Sequence, residues 1–300
     1  MTAMAEQTGI ASAGGPLIRN ISDTALWVAV YRARETERPD AVFRDPLARK
    51  LAGERGEQIA RSMQFGERHA WSYVARTWLV DQMIARQVQQ GTDMIVNLAA
   101  GLDTRPYRMD LPRALRWVEV DLTPMIDYKE QVLSAEKPAC ELTRVRMNLS
   151  DVDARRRLFA NLGGEAKKAL VISEGLVIYL TRDEVGMLGR DLAAPATFQY
   201  WVLDLVSPGL LEMLQKNLGG PLNAAGSPLK FGPEEGPDFF LPCGWRPVQV
   251  DSLLKTAARL KRLSLGMRLV SLLPASNGRQ GSRPWGAMCL FAKSDAATNQ

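Results

Sequence analysis

The stretch that most constrains this chain is Met94 to Tyr107, MIVNLAAGLDTRPY, where an apolar run stops at small residues, turns, and restarts in a charged segment. In a doubly wound α/β fold such a transition sits at the carboxyl end of the first strand, where small side chains let a ligand approach the backbone closely. Gly101 suits the unusual backbone angles of such a turn, and Asp103 and Thr104 carry the oxygens that cap a helical turn. About 20 residues further on, RWVEVD (Arg116 to Asp121) reads as a second strand ending in acids, where dinucleotide-type folds place the carboxylate that takes ribose hydroxyls. With one glycine and no G-x-G-x-x-G, the turn alone also fits an ordinary strand end. The two features in order point to a nucleotide-like cofactor and leave its identity open.

The rest of the chain alternates strand and helix. Strand candidates fall at 93–98, 116–121, 142–147, 169–174, 197–206, 246–250 and 287–293, with the clearest helices at Thr123–Ala135, Asp151–Leu162 and Thr181–Leu192. This alternation predicts a mainly parallel sheet covered on both faces. No Pro/Gly/Ser linker divides 93 to 206, so the chain reads as a flexible arm over 1–20 and one domain over 21–296. Within that domain 21–91 is a helical cap, 92–206 the cofactor-binding core and 207–285 a substrate or lid region. Ser22 or Asp23 caps a helix running to Glu35, and Asp45-Pro46 opens a second. From Glu67 to Gln90, Trp71, Val74, Ala75, Trp78 and Leu79 make an apolar stripe at helical spacing, with His69, Tyr73 and Arg76 on another face. The Gly- and Pro-rich run 219–244 breaks the pattern, and its Phe231, Phe239 and Phe240, with Trp245, suit either a lid over an apolar substrate or a satellite core.

Composition removes other classes. The net charge of +5 comes from arginines scattered among acids, with no basic block, which argues against a nucleic-acid partner. Cys140, Cys243 and Cys289 are far apart and lack metal-ligand spacing, which favours a reducing compartment; with His69 the single histidine, no metal site is expected. The sequence has no basic-then-apolar leader and no apolar run of the ~20 residues that span a bilayer, so a cytoplasmic protein without a membrane partner is expected.

The segments NLAAGLDTRPYRM, WVEVDLTPMIDYK and ISEGLVIYL, in that order, carry a resemblance. With SDTALWVAVYRARETERPD, FRDPLARKLAG and SYVARTWLVD they are similar to the S-adenosylmethionine-dependent methyltransferases of the leucine carboxyl methyltransferase family, in its bacterial O-methyltransferase branch tied to secondary metabolism. The likeness spans residues 20–205 and loosens beyond them. It implies the class I methyltransferase fold, an α/β Rossmann-like sheet of seven mainly parallel strands with helices on both faces, N-terminal helices and a lid-like C-terminal insertion. It implies S-adenosyl-L-methionine as cofactor and a small polyketide-like or other natural-product acceptor. The resemblance also implies roles: Arg76 on the methionyl carboxylate, Ala99 and Gly101 in the turn beneath the cofactor, Asp121 on the ribose, Asn148 and Leu149 near adenine, and Glu174 as a further cofactor contact. Asn148 stands where the family usually has aspartate, and its carbonyl accepts from an exocyclic amine as aspartate would. Ala99 replaces the first glycine of the usual G-A-G, which is tolerable only at negative φ.

Acceptor chemistry stays open between two oxygens. A carboxylate is already ionised at neutral pH and needs no base, whereas a hydroxyl does. His69, the one conventional neutral-range base, is a catalytic candidate, against the alternative of a packed or solvated ring. Tyr179 is a second, able to orient or deprotonate an acceptor, against core packing. Protein C-terminal carboxyl methylation and a non-catalytic cofactor-binding partner protein remain as alternatives, and a nicotinamide dehydrogenase would want the glycine-rich fingerprint this chain lacks. The oligomeric state is open.

Overall fold

The computed structural model describes residues 23–274 and 283–294, so the expected arm over 1–20 lies outside the described residues. A helical cap comes first: α1 (Asp23–Thr36), α2 (Ala48–Ser62), the short α3 (Gln64–Arg68) and α4 (Ala70–Gln89). Then follow β1 (Met94–Leu98), α5 (Arg105–Arg108), β2 (Arg116–Asp121), α6 (Thr123–Val132), β3 (Glu141–Arg146), α7 (Val152–Glu165), β4 (Ala169–Ser173), α8 (Arg182–Ala193) and β5 (Phe198–Val206). The last third holds α9 (Pro208–Ala224), β6 (Trp245–Ser252), α10 (Leu253–Arg259), α11 (Leu265–Ser271) and β7 (Gly286–Lys293). Short 3₁₀ segments lie at Val177–Tyr179 and Gly236–Cys243.

The seven strands form one sheet in the order β3-β2-β1-β4-β5-β7-β6. β1 to β5 pair in parallel, and β7 runs antiparallel to both β5 and β6. Every residue of β1 and β4 is buried, which is why MIVNL and ALVIS read as near-continuous apolar runs, with Asn97 and Ser173 the polar exceptions. Successive side chains point to opposite faces. Met94, Val96 and Leu98 pack with Phe159 and Leu162 of α7 and Val185, Leu188 and Leu192 of α8, while Ile95 packs with Leu79, Val80, Met83 and Ile84 of α4. Local signals start the crossover helices: Thr181 and Glu184 form a capping box for α8, and Asp151 accepts from the Ala154 N–H at the head of α7.

Two expectations need correction. The resemblance to the class I sheet implies a final hairpin-like edge strand; β7 instead inserts between β5 and β6 and leaves β6 at the edge. The second helix begins at Ala48, two residues past Pro46. Of the two readings of 219–244, the packing of its rings favours the core one: its first residues finish α9, where Leu218 and Leu222 are buried against the α1–α2 cap despite Pro221 in the helix. Phe231, Phe240 and Trp245 are buried in the sheet core with Phe239 packed against them, and Phe240 meets Trp201 edge-on at 5.2 Å. Aromatic rings carry the largest apolar area available, and here the sheet face takes it.

Candidate active site

Strand order reverses between β1 and β4, and open α/β sheets bind ligands beyond the carboxyl ends of their strands at such a reversal. Here those ends open into a cavity of about 1000 Å³ whose wall includes all the residues singled out from the sequence: His69, Arg76, Ala99, Gly101, Asp121, Asn148, Leu149, Glu174 and Tyr179. Single ligands occupy sites of ~300–1,000 Å³, so the space is at the top of that range.

The turn after β1 departs from expectation. Ala99 sits at φ 49° and Gly101 at φ 50°, so the alanine occupies the left-handed region that was held intolerable for it. An L-residue there costs about 1–2 kcal/mol. The turn is held in place by Asp121 at the end of β2, whose two carboxylate oxygens accept from the Gly101 N–H at 2.6 Å and the Leu122 N–H at 2.7 Å. Burial pushes the Asp121 carboxyl above its ordinary range, and these two N–H donors offset only part of the push. Each oxygen keeps a lone pair, which suits a pair of hydroxyl donors. Asn148 is exposed, and its Oδ1 accepts from the Ser150 N–H at 3.0 Å, leaving its amide N–H groups and a second lone pair available.

Behind the turn lies a buried ionic cluster. Arg105 donates to Asp81 at 2.7 Å, to Asp103 at 2.9 Å and to Glu174 at 2.9 Å. Arg108 grips Asp81 with two bonds of 2.8 Å, and Arg32 donates to Asp45 at 2.8 Å. Arg76, from the middle of α4, stands between Glu174 and Asp204. Its Nη1 donates to Asp204 at 3.3 Å, while its Nε lies 2.9 Å from Glu174 Oε1 without a hydrogen bond's alignment. Asp204 also accepts from the Gly175 N–H at 2.6 Å. Burial pushes the Glu174 carboxyl up, and Arg105 and Arg76 more than reverse this, leaving it below the usual carboxylate range. By formal charge, Asp45, Asp81, Asp103, Glu174 and Asp204 exceed Arg32, Arg76, Arg105 and Arg108 by one negative charge. Among the described residues Arg76 Nη2 makes no hydrogen bond to protein, so the guanidinium expected on the methionyl carboxylate is already braced on two acids and keeps one nitrogen for a ligand.

The other end of the cavity is apolar. Leu210, Met213, Leu214 and Leu218 of α9, Leu253 and Leu254 of α10, and Met267 and Val270 of α11 line it with Trp27, Phe65 and Trp71 from the cap. His69 does not ride on a helix face as expected, because it forms the junction between α3 and α4. Its Nδ1 lies 2.8 Å from the Phe65 carbonyl, and its ring stacks on Phe65 at 4.0 Å. A carbonyl only accepts, so Nδ1 carries the proton and Nε2 the lone pair. Trp71, 6.2 Å from His69 between ring centres, has a buried indole N–H with no partner among the described residues. Burial pushes the Tyr179 phenol further above its ordinary range, which argues against the proton-acceptor role; the phenol oxygen takes a hydrogen bond from Thr24 and keeps its own O–H to donate.

Sequence reading missed Asp204 and Arg105. An acid inside the otherwise apolar strand FQYWVLDLV and an arginine beside Asp103 in the turn motif were the signals available. Among the described residues no group of His, Cys, Asp and Glu is placed to hold a metal, and no helix is long and apolar enough to cross a membrane.

Solved structures share this architecture. A DUF574 family protein from Streptomyces avermitilis superposes with a TM-score of 0.54 at 15% identity over 89% of this chain and 97% of that one. A protein of Thermobifida fusca described as a methyltransferase superposes with a TM-score of 0.54 at 16% identity over 93% and 96%. The fold is that of the class I S-adenosylmethionine-dependent methyltransferases. In sequence, the chain is 35% identical over 74% of its length to a Streptomyces avermitilis protein named as an S-adenosyl-L-methionine-dependent methyltransferase, of which it covers 80%. A Frankia alni protein with the same designation is 35% identical over 74% of this chain and 79% of its own. The leucine carboxyl methyltransferase family model matches residues 25–193, and the chain belongs to that family. It is an S-adenosylmethionine-dependent methyltransferase.

Proposed function

We propose that this chain transfers the methyl group of S-adenosylmethionine to a carboxylate or hydroxyl oxygen of a small, largely apolar, natural-product-like acceptor. The observation that carries the reading is one continuous cavity of about 1000 Å³, with carboxylates and a braced arginine at the strand ends and leucine, methionine and aromatic side chains at the other end. A protein C-terminus offers no comparable apolar length to fill that chamber.

The residues at the strand ends fit the cofactor. When bound, it supplies an electrophilic methyl on a sulfonium. Asp121 keeps two acceptor positions for ribose hydroxyls, Arg76 Nη2 suits the methionyl carboxylate, and the single excess negative charge of the buried cluster suits a ligand bearing a sulfonium and an ammonium. Asn148 offers both donor and acceptor to adenine, with Leu149 as an apolar neighbour, and Glu174 tethers Arg76 from behind. On the acceptor side, the chamber excludes water from the reacting oxygen, and positioning supplies much of the rate for an in-line displacement. Tyr179 and the Trp71 N–H donate to an acceptor oxygen. His69 Nε2 takes a proton if that oxygen begins as a hydroxyl.

The test is incubation with methyl-labelled cofactor and a panel of amphiphilic carboxylic acids and phenols, followed by mass spectrometry. Label on oxygen supports the reading, with alkali-labile label marking an ester and alkali-stable label an ether. Binding of S-adenosylhomocysteine without transfer to any acceptor, or label on nitrogen, carbon or sulfur, overturns it.

A further inference from the structure

We infer that α11 and its flanks form a docking face for an anionic lipid surface, placed at the mouth of the apolar chamber. From Ser252 to Ser294 the sequence contains no aspartate or glutamate, yet it carries Lys255, Arg259, Lys261, Arg262 and Arg268, with more cations beyond. The even scatter of charge read from the whole sequence does not hold over this stretch.

No residue of α11 is buried. One of its faces, Met267, Val270 and Ser271 continuing to Pro274, lines the cavity. The other, at positions i, i+4 and i+7, turns leucine outward: Leu265 is 78% exposed, Leu269 70% and Leu272 79%. Exposed leucines interleaved with unpaired cations are the pattern of a helix lying in a headgroup layer, and isolated apolar residues need no such explanation whereas a contiguous patch does. Lys255, Arg259, Lys261 and Arg268 are exposed and form no ion pair among the described residues, Arg259 donating only to the Thr256 hydroxyl at 3.0 Å; of the five, Arg262 alone is ion-paired, with Glu35 and Asp40.

Charge selects the occupant. A second copy docked through the same face by a two-fold axis sets the acid-free, cationic stretch against itself, which like-charge repulsion opposes. An anionic bilayer or micelle complements the cations and takes up the leucines. Resting on the function proposed above, this face also sets a lipid surface beside the apolar lining that Met267 and Val270 give the chamber, where an apolar acceptor would be held.

The experiment is co-sedimentation of the full chain with large unilamellar vesicles of equal parts phosphatidylglycerol and phosphatidylcholine, and with pure phosphatidylcholine vesicles. No turnover is read, so the outcome stands apart from the identity of the acceptor. Wild type is expected to bind the anionic vesicles and be released by 0.5 M salt on the order of the screening it provides. Each cation near such a surface is worth about fivefold in partitioning, so K261A/R268A should weaken binding by roughly 25-fold. L265S/L269S/L272S should weaken it at least about tenfold. Both variants should keep wild-type affinity for S-adenosylhomocysteine, which certifies their fold. Equal partitioning of wild type to both vesicle types, or variants that bind like wild type, overturns the inference. A wild-type dimer that the leucine variant splits into monomers also overturns it, by assigning the face to a second copy.

Discussion

Arg76 has two functions in this account, and its substitution separates them. The side chain braces Glu174 and Asp204 from the middle of α4 while one guanidinium nitrogen is left for the ligand. Arg76→Lys keeps the charge but has no fork, so one charge-assisted hydrogen bond is lost. Such a bond contributes about 1.5–3 kcal/mol, which converts to roughly tenfold to 150-fold weaker binding of S-adenosylhomocysteine by calorimetry. Arg76→Ala does more damage, because two buried carboxylates lose their shared cation. Breaking a buried pair costs about 3–5 kcal/mol, which lowers the melting temperature by roughly 6–20 °C. The acid side checks the same pairing. The Glu174 carboxyl is held below its ordinary range, so the stability it contributes is present above that range and is lost as pH falls through its lowered value. The difference in stability between wild type and Arg76→Ala therefore narrows on acidification. An Arg76→Lys protein that melts like wild type and binds S-adenosylhomocysteine within about threefold of it would refute the ligand role and leave only the brace.

Three further outcomes follow from the same geometry. Asp121→Asn sets an amide N–H against the Gly101 or Leu122 N–H and should weaken S-adenosylhomocysteine about 10- to 100-fold; in wild type, where burial raises the Asp121 carboxyl, affinity should fall on acidification at a pH above the usual carboxylate range, a step the variant lacks in a calorimetric pH series. Ala99→Gly removes the cost of a left-handed alanine at φ 49°, and after the added freedom of the unfolded chain the protein should gain about 0.5–1 kcal/mol, read as a small rise in melting temperature with cofactor affinity unchanged; no rise contradicts the strain. His69→Ala should lower ether formation by about 10² to 10⁴ while leaving cofactor affinity and any ester formation nearly unchanged; an ether product formed at the wild-type rate removes His69 Nε2 as the base.

Much of this was legible because it is local. β1 and β4 announce themselves as apolar runs broken only by Asn97 and Ser173, and the turn between β1 and α5 with Asp121 beyond it marks the strand ends that open into the cavity. Strand order is not a property of any single segment, so the insertion of β7 between β5 and β6 left no trace in periodicity. The brace on Arg76 was hidden for a related reason, since Arg76 and Asp204 are separated by 128 positions and Arg105 and Glu174 by 69. Each arginine alone reads as a surface cation until the fold buries it beside acids. Phe231, Phe239 and Phe240 were ambiguous because Gly- and Pro-rich spacing describes the backbone path and not which apolar surface the rings meet. The conformation of Ala99 was misjudged from residue preference, whereas the hydrogen bonds of Asp121 to the turn set it.

In the function proposed above, one cavity holds the cofactor at the strand ends and the acceptor in the apolar chamber beyond. A crystal structure of the chain with S-adenosylhomocysteine tests it most directly. Ribose hydroxyls are expected on Asp121, the ligand carboxylate on Arg76, and the chamber of Leu210, Met213, Leu214, Met267 and Val270 free of the ligand. An adenosyl group seated in that leucine-lined chamber, or a ligand carboxylate on Lys255 or Arg283 with Arg76 still closed on Glu174 and Asp204, contradicts it.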